Sequence, residues 1–288
     1  MREIIEARKK IGSIQLRKLI SQTAIYTLLS LICVFFLFPL IWTFVTSLKT
    51  TQAAFAIPPK WFFLPQWGNY FKAWVAKGFA SAFMNTLIIG AGSCFLSILL
   101  ALPASYAFAR HKFKGFTTLG ASFIAIRLLP EMLFIIPLYI IYTWLNLYDT
   151  HLGLILVFQI FNLPFAVWVL KGFIEQVPRE IEETAFIDGC SELGALTRIT
   201  LPLIAPGIAA TAIIAFIVIW TNLLYPLSLA YSNAETAPLA IAKFKGYGAF
   251  DWPLMAAGSI LITLPQLVFF IIIQRHLIKG LTMGALKG

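Results

Sequence analysis

Two groups of residues have the types and spacing that chemistry requires. Six of the twelve acidic residues crowd into eighteen positions: Glu175, Glu180, Glu182, Glu183, Asp188 and Glu192. Separately, Arg127 and Glu131 sit four apart inside a long apolar stretch. Clustered carboxylates serve acid–base or metal chemistry only with suitable partners. Here His111, His151, His276, Cys33, Cys94 and Cys190 are scattered, with no metal-ligand spacing. No H-E-x-x-H, G-x-S-x-G or G-x4-G-K-[ST] pattern occurs. Two readings of each group then stand: the acidic segment is a surface for another protein or a loop of solvated charges, and the charged pair belongs to a polar path or is an ion pair that fixes helix packing.

The elements that must position these residues are membrane spans. The 288 residues are 60% hydrophobic and 12% charged, with a mean hydropathy of +0.86. Soluble domains are nearer half apolar and a quarter charged. A water-facing surface cannot be covered with so few charges, so much of the surface must face lipid. The net charge of +10 does not indicate nucleic acid, because the basic residues cluster in short segments between apolar runs.

A hydrocarbon core of about 30 Å needs roughly 20 apolar residues in helix. Runs free of Asp, Glu, Lys and Arg fall at 23–48, 78–109, 132–148, 152–170, 199–234 and 252–274. The third extends backwards to give a span over 117–144 with a polar break at Arg127, Pro130 and Glu131. The expected fold is all-α, a polytopic membrane protein with six transmembrane helices. The first run is about twice the length of a signal-peptide core and reads as a retained anchor.

With the N-terminus in the cytoplasm, inner segments hold fifteen Lys and Arg residues and outer ones six: Lys49, Lys60, Lys72, Lys77, Lys243 and Lys245. The bias places both termini inside. The expected organisation is a cytoplasmic segment 1–22, a first span 23–48 and an external loop 49–77. A core of five spans, 78–277, and a cytoplasmic tail 278–288 follow. Trp61, Trp67, Tyr70 and Trp74 suit an external loop lying at the interface.

The acidic segment falls in a loop at 175–200, longer than a connector needs. Pro178 suits the first position of a helix, with Glu180, Glu182 and Glu183 set against its positive end. Gly189 can end that helix in the left-handed region, and Ser191 can cap a second with Leu193, Leu196 and Ile199 on one face. The expectation is a helix–turn–helix across the inner face. Ala185 and Gly189 allow another protein to approach closely.

Glu183-Thr184-Ala185, Gly189, Ile199, Leu201 and Pro202 resemble the E-A-A-x3-G-x9-I-x-L-P loop of binding-protein-dependent ABC importers, with Thr184 for the first Ala as the one departure. Residues 146–173, NLYDTHLGLILVFQIFNLPFAVWVLKGF, resemble carbohydrate permeases of the maltose, polyol and disaccharide importers. The ending Gly280-Leu281-Thr282-Met283-Gly284-Ala285-Leu286-Lys287-Gly288 is similar to that of the second permease subunit of maltose-type importers. Where that family often has W-N-E-F, this chain has Trp220, Thr221, Asn222 and Leu223.

The resemblance implies an inner-membrane permease that translocates a sugar, oligosaccharide or polyol. Its partners would be a second homologous permease, an ATPase dimer and an extracytoplasmic solute-binding protein. ATP and magnesium would bind the ATPases, and this chain would hold no cofactor. The implied coupling residues are Glu182, Glu183, Thr184, Ala185, Asp188, Gly189, Ile199, Leu201 and Pro202. Polar groups at membrane depth are path candidates: Arg127, Glu131, Gln159, Asn162, Trp220 and Asn222. On one helix Arg127 and Glu131 would share a face and satisfy each other. Alternatively, Pro130 and Pro137 would open the helix toward a cavity. Arg127 with Lys243 and Lys245 points to an anionic saccharide. The alternatives are an importer for another solute class and a secondary transporter, which would show internal repeats and charged relays.

Overall fold

The computed structural model describes the backbone of residues 2–75, 78–111, 114–244 and 250–285. Side chains are described from residue 21 to 271 outside those gaps and Ile124, together with Lys18. The ending 286–288, the basic side chains Arg2, Arg8, Lys9, Lys10 and Arg17, and Lys77, Lys112 and Lys245 lie outside the described residues.

Every element described is helical. The chain opens with α1 (Arg2–Ser47), followed by the short α2 (Thr51–Ala54) and α3 (Gly68–Val75) in the 49–77 segment. Next come α4 (Phe79–Arg110), α5 (Phe116–Leu128), a 3-10 turn (Glu131–Phe134) and α6 (Ile135–Trp144). Then follow α7 (His151–Val157), α8 (Gln159–Glu175), α9 (Arg179–Ile187), α10 (Glu192–Ala195), a π-helical turn (Leu196–Thr200) and α11 (Leu201–Leu203). The chain finishes with α12 (Ala205–Thr221), α13 (Leu224–Leu229), α14 (Ala237–Ala242) and α15 (Trp252–Ala285).

Among the described residues, three helical stretches are long and apolar enough to cross a membrane singly: Ser21–Ser47, Phe79–Arg110 and Trp252–Ile271. Three bent pairs also pass, α5 with α6, α7 with α8, and α10–α11 with α12, and counting each as one span gives six.

Two interruptions have a local cause. Pro130 has no amide to donate and pushes Leu129 into an extended conformation (ψ 137°), so α5 ends and α6 restarts after the turn. The apolar run 199–234 is not one helix either. Asn222 adopts ψ 126°, and its Oδ1 accepts a 3.1 Å bond from the Tyr225 amide, closing α12 and opening α13.

The centre of the bundle is the pair α4 and α8, with α12 packed against both and α15 against α12. Small residues allow the approach. A Cβ on Gly207 would lie 2.4 Å from the Phe173 ring, so α12 meets α8 through bare backbone there. Helix α1 touches α15, yet the most apolar part of its span is wholly exposed within this chain.

Candidate functional site

The acidic segment folds into the expected hairpin at one end of the bundle. Helix α9 begins at Arg179, so Pro178 flanks it rather than occupying its first turn. It ends in a Schellman motif. The Cys190 amide donates to Ala185 O (2.9 Å), the Gly189 amide to Phe186 O (3.0 Å), and Gly189 sits at φ +83°. Ser191 then caps α10 by accepting from the Gly194 amide at 3.2 Å.

The predicted Leu193–Leu196–Ile199 face does not form. Leu196 is buried and Ile199, within the π-helical turn, is half-buried, but Leu193 is 69% exposed.

Glu182 departs most from expectation. It does not lie on the exposed face with Glu183 but is buried, 2% exposed, and directed into its own chain. Four donors converge on its carboxylate. Arg110 Nε and Nη2 donate at 2.8 and 3.0 Å, Tyr106 Oη at 3.3 Å and Thr200 Oγ1 at 2.5 Å. Arg110 also donates to Val177 O (3.0 Å), and Arg179 to Ala109 O (3.2 Å). A buried carboxylate is stable only when paired and fully hydrogen-bonded, and this one is. The result ties the base of α4, helix α9 and the start of the following span into one unit.

The opposite face of the hairpin is open. Glu183, Thr184, Phe186, Asp188 and Gly189 are exposed, Ile187 is 87% exposed, and Ala185 is half-buried. A Cβ on Gly189 would meet nothing within 4 Å. Ile199 and Leu201 are half-buried, and Pro202 is exposed.

The six path candidates do not form one site. Gln159 is a fastener between α4 and α8, accepting from Ser97 Oγ (2.6 Å) and donating to Ser93 O (3.2 Å). Asn162 is buried and bonds back to Phe158 O at 3.0 Å. Trp220 is fully buried, with its indole donating to Ile262 O on α15 (2.9 Å). Packing consumes all three.

Glu131 and Asn222 do meet, with Nδ2 donating to Oε2 at 3.2 Å. Beside them is Tyr225, buried, with a hydroxyl that has no hydrogen-bond partner among the described residues. Arg127 is not paired with Glu131, because the break at Pro130 removes the shared helical face. Its guanidinium instead stacks over the Phe165 ring on α8, 4.9 Å from the centroid. Lys243, set with Arg127 as an anion-binding charge, is neutralised by Glu235 at 2.9 Å.

At the end of the bundle away from the hairpin, Asp149 is a residue that sequence reasoning missed. It stands at φ 56°, and its carboxylate accepts from the amides of Tyr231, Ser232, Asn233 and Ala234 at 2.9–3.2 Å. Partial burial pushes the carboxyl up, but the four amides overcome that and hold it at about 2. Asn85 reinforces the same loop, donating to Asn233 O and Glu235 O and meeting His151 at 2.8 Å. The only local signal was an Asp in a Tyr-Asp-Thr turn.

Comparison with known proteins agrees with this architecture. The family described as "Binding-protein-dependent transport system inner membrane component" matches residues 93–283. The trehalose transport system permease protein of Mycobacterium tuberculosis is 38% identical over 258 residues, covering 88% of this chain and 93% of that protein. The sulfoquinovosyl glycerol transport system permease protein of Agrobacterium fabrum is 35% identical, with 88% and 89% covered. The diacetylchitobiose uptake system permease protein of Streptomyces coelicolor is 34% identical, with 87% and 92% covered. A chain of a bacterial ABC transporter involved in import of the acidic polysaccharide alginate superposes with a TM-score of 0.73 at 19% identity, covering 89% of this chain and 96% of that one. The chain is thus a multi-pass transport component of the inner membrane, and it belongs to the binding-protein-dependent transport system inner membrane component family.

Proposed function

We propose that this chain is one permease subunit of an ABC importer for a sugar or glycoside. ATP would be hydrolysed by a separate ATPase dimer, a second permease would complete the membrane path, and an external binding protein would deliver the solute. The names of three relatives support the substrate class: trehalose, diacetylchitobiose and sulfoquinovosyl glycerol. The distribution of basic residues supports an orientation with both termini and the 175–200 hairpin in the cytoplasm.

The carrying observation is the two-sided hairpin. Helix α9 offers an open face at Glu183, Thr184, Ile187 and Asp188, while its inward residue Glu182 is bonded to α4 and Thr200. A push on the open face is thereby delivered to two spans at once. An ATPase that closes on ATP can shift the permease only by contacting its two states differently, and a rigid lever supplies that difference.

The test is site-directed crosslinking in the assembled complex. Ile187→Cys, carrying a short bifunctional reagent, should link to the ATPase subunit and resist membrane-impermeant maleimide added outside intact cells. Labelling from outside, or no link to any other subunit, would overturn the reading.

A further inference from the structure

Lys49 is a buried cation with nothing anionic beside it. It lies just past the end of α1 and is 2% exposed. Its Nζ sits 4.9 Å from the Trp42 ring centroid and 5.4 Å from that of Phe63. Among the described residues no carboxylate lies within ion-pairing distance, and Nζ makes no hydrogen bond. An ammonium has three N–H donors and no acceptor, and rings meet its charge without accepting all three bonds. The access it keeps is to the adjoining cleft, where the N–H bonds that the rings leave open can be taken by an anion.

The surroundings provide room for one. Lys49 lines a cleft of about 480 Å3 between the end of α1, the α2 segment and the start of α15. Trp42, Phe55 and Trp252 contribute apolar walls, and Thr46, one turn before Lys49, adds a half-buried hydroxyl that makes no hydrogen bond among the described residues. Depth is given by the aromatic residues. Trp42 packs on Trp61 at 5.3 Å, and Trp252 stands at the opening of the last span, a girdle of the kind found where hydrocarbon meets headgroups. Directly along α1 run Phe38 and Ile41, both more than half exposed, a surface suited to an acyl chain.

We infer that this cleft binds an anionic phospholipid, with the headgroup phosphate accepting from Lys49 and Thr46 and the tail lying along α1. The site is independent of the transport reading, since headgroups lie at this depth in either leaflet.

The full-length chain, purified in detergent and loaded with dioleoylphosphatidylglycerol or dioleoylphosphatidylcholine, is compared by native mass spectrometry. Wild type should retain the anionic lipid about tenfold better than the zwitterionic one. Lys49→Met keeps the stem among the rings and should abolish that preference, while Lys49→Arg should preserve it. Thr46→Val should weaken retention two- to threefold with Lys49 intact. Millimolar inorganic phosphate should not displace the lipid. An absent preference in wild type, an unchanged one in Lys49→Met, or full displacement by phosphate would each overturn the assignment.

Discussion

Arg110 and Glu182, seventy-two residues apart, are joined by two bonds of 2.8 and 3.0 Å, with side chains only 8% and 3% exposed. The pair is the bolt that fixes the acidic hairpin to the long central helix α4. Its burial makes it asymmetric: the pair is stable together, while either member alone is a stranded charge.

Glu182→Ala should therefore destabilise the hairpin end by about 3–5 kcal/mol, the range for removing one partner of a buried pair. Glu182→Gln keeps the shape and part of the bonding and should cost less. In proteoliposomes containing the assembled importer, both should lose solute uptake while ATP hydrolysis continues. Uptake at the wild-type rate in Glu182→Ala would exclude a transmitting role.

Gly189 tests the hairpin's geometry without altering its contacts within this chain, because a Cβ there would meet no other atom of the chain within 4 Å. At φ +83° an L side chain is strained by about 1–2 kcal/mol. Gly189→Val should impair coupled transport strongly, and Gly189→Asn mildly, since Asn tolerates this region. Uptake assays on the two variants give the order. A reversed order would mean that surface chemistry, not backbone shape, matters there.

Asn222 both accepts from the Tyr225 amide at the start of α13 and donates to Glu131. Asn222→Ala should cost about 1 kcal/mol through the lost cap and lower uptake severalfold. Arg127→Ala should slow acidic saccharides more than neutral ones, because it removes the cation stacked on Phe165. Equal effects on both substrates, measured as initial uptake rates, would make Arg127 a packing residue.

Asp149 yields a pH prediction. Its carboxyl is held at about 2 against an ordinary value of 3.8, so the folded loop favours the charged form. That contribution is complete above about pH 4 and is lost as pH falls toward 2. The protection factors of the amides at 231–234, taken against the intrinsic exchange rate at each pH, should be high at pH 6 and fall as pH drops toward 2 in wild type. In Asp149→Ala they should be low throughout. Protection surviving that substitution would assign the loop's order to Asn85 instead.

What was legible in the sequence was what neighbours decide. Gly189, Ser191 and Pro130 act within a few residues of themselves, so the hairpin's turn, its second cap and the broken third span could be anticipated. What was not legible was direction. The inward turn of Glu182 depends on Arg110 and Thr200, which the chain brings from far away. Gln159 and Trp220 had the right chemistry for a sugar, yet Ser97 and Ile262 claim them. Leu193 and Leu196 likewise share a helical face by spacing, yet only Leu196 is covered by the rest of the chain.

The interruption at Pro130 also constrains biosynthesis. Helix α5 has 13 residues and α6 has 10, roughly 20 and 15 Å at 1.5 Å per residue, so neither half reaches across about 30 Å of hydrocarbon. Exposed carbonyls at the break would be stranded among acyl chains. Their support arrives late: α5 leans on α8, while α6 leans on α13 and Glu131 takes its bond from Asn222, ninety-one positions downstream. The third segment is therefore expected to leave the translocon not as a lone rod but together with the fourth and fifth, whose residues support its break.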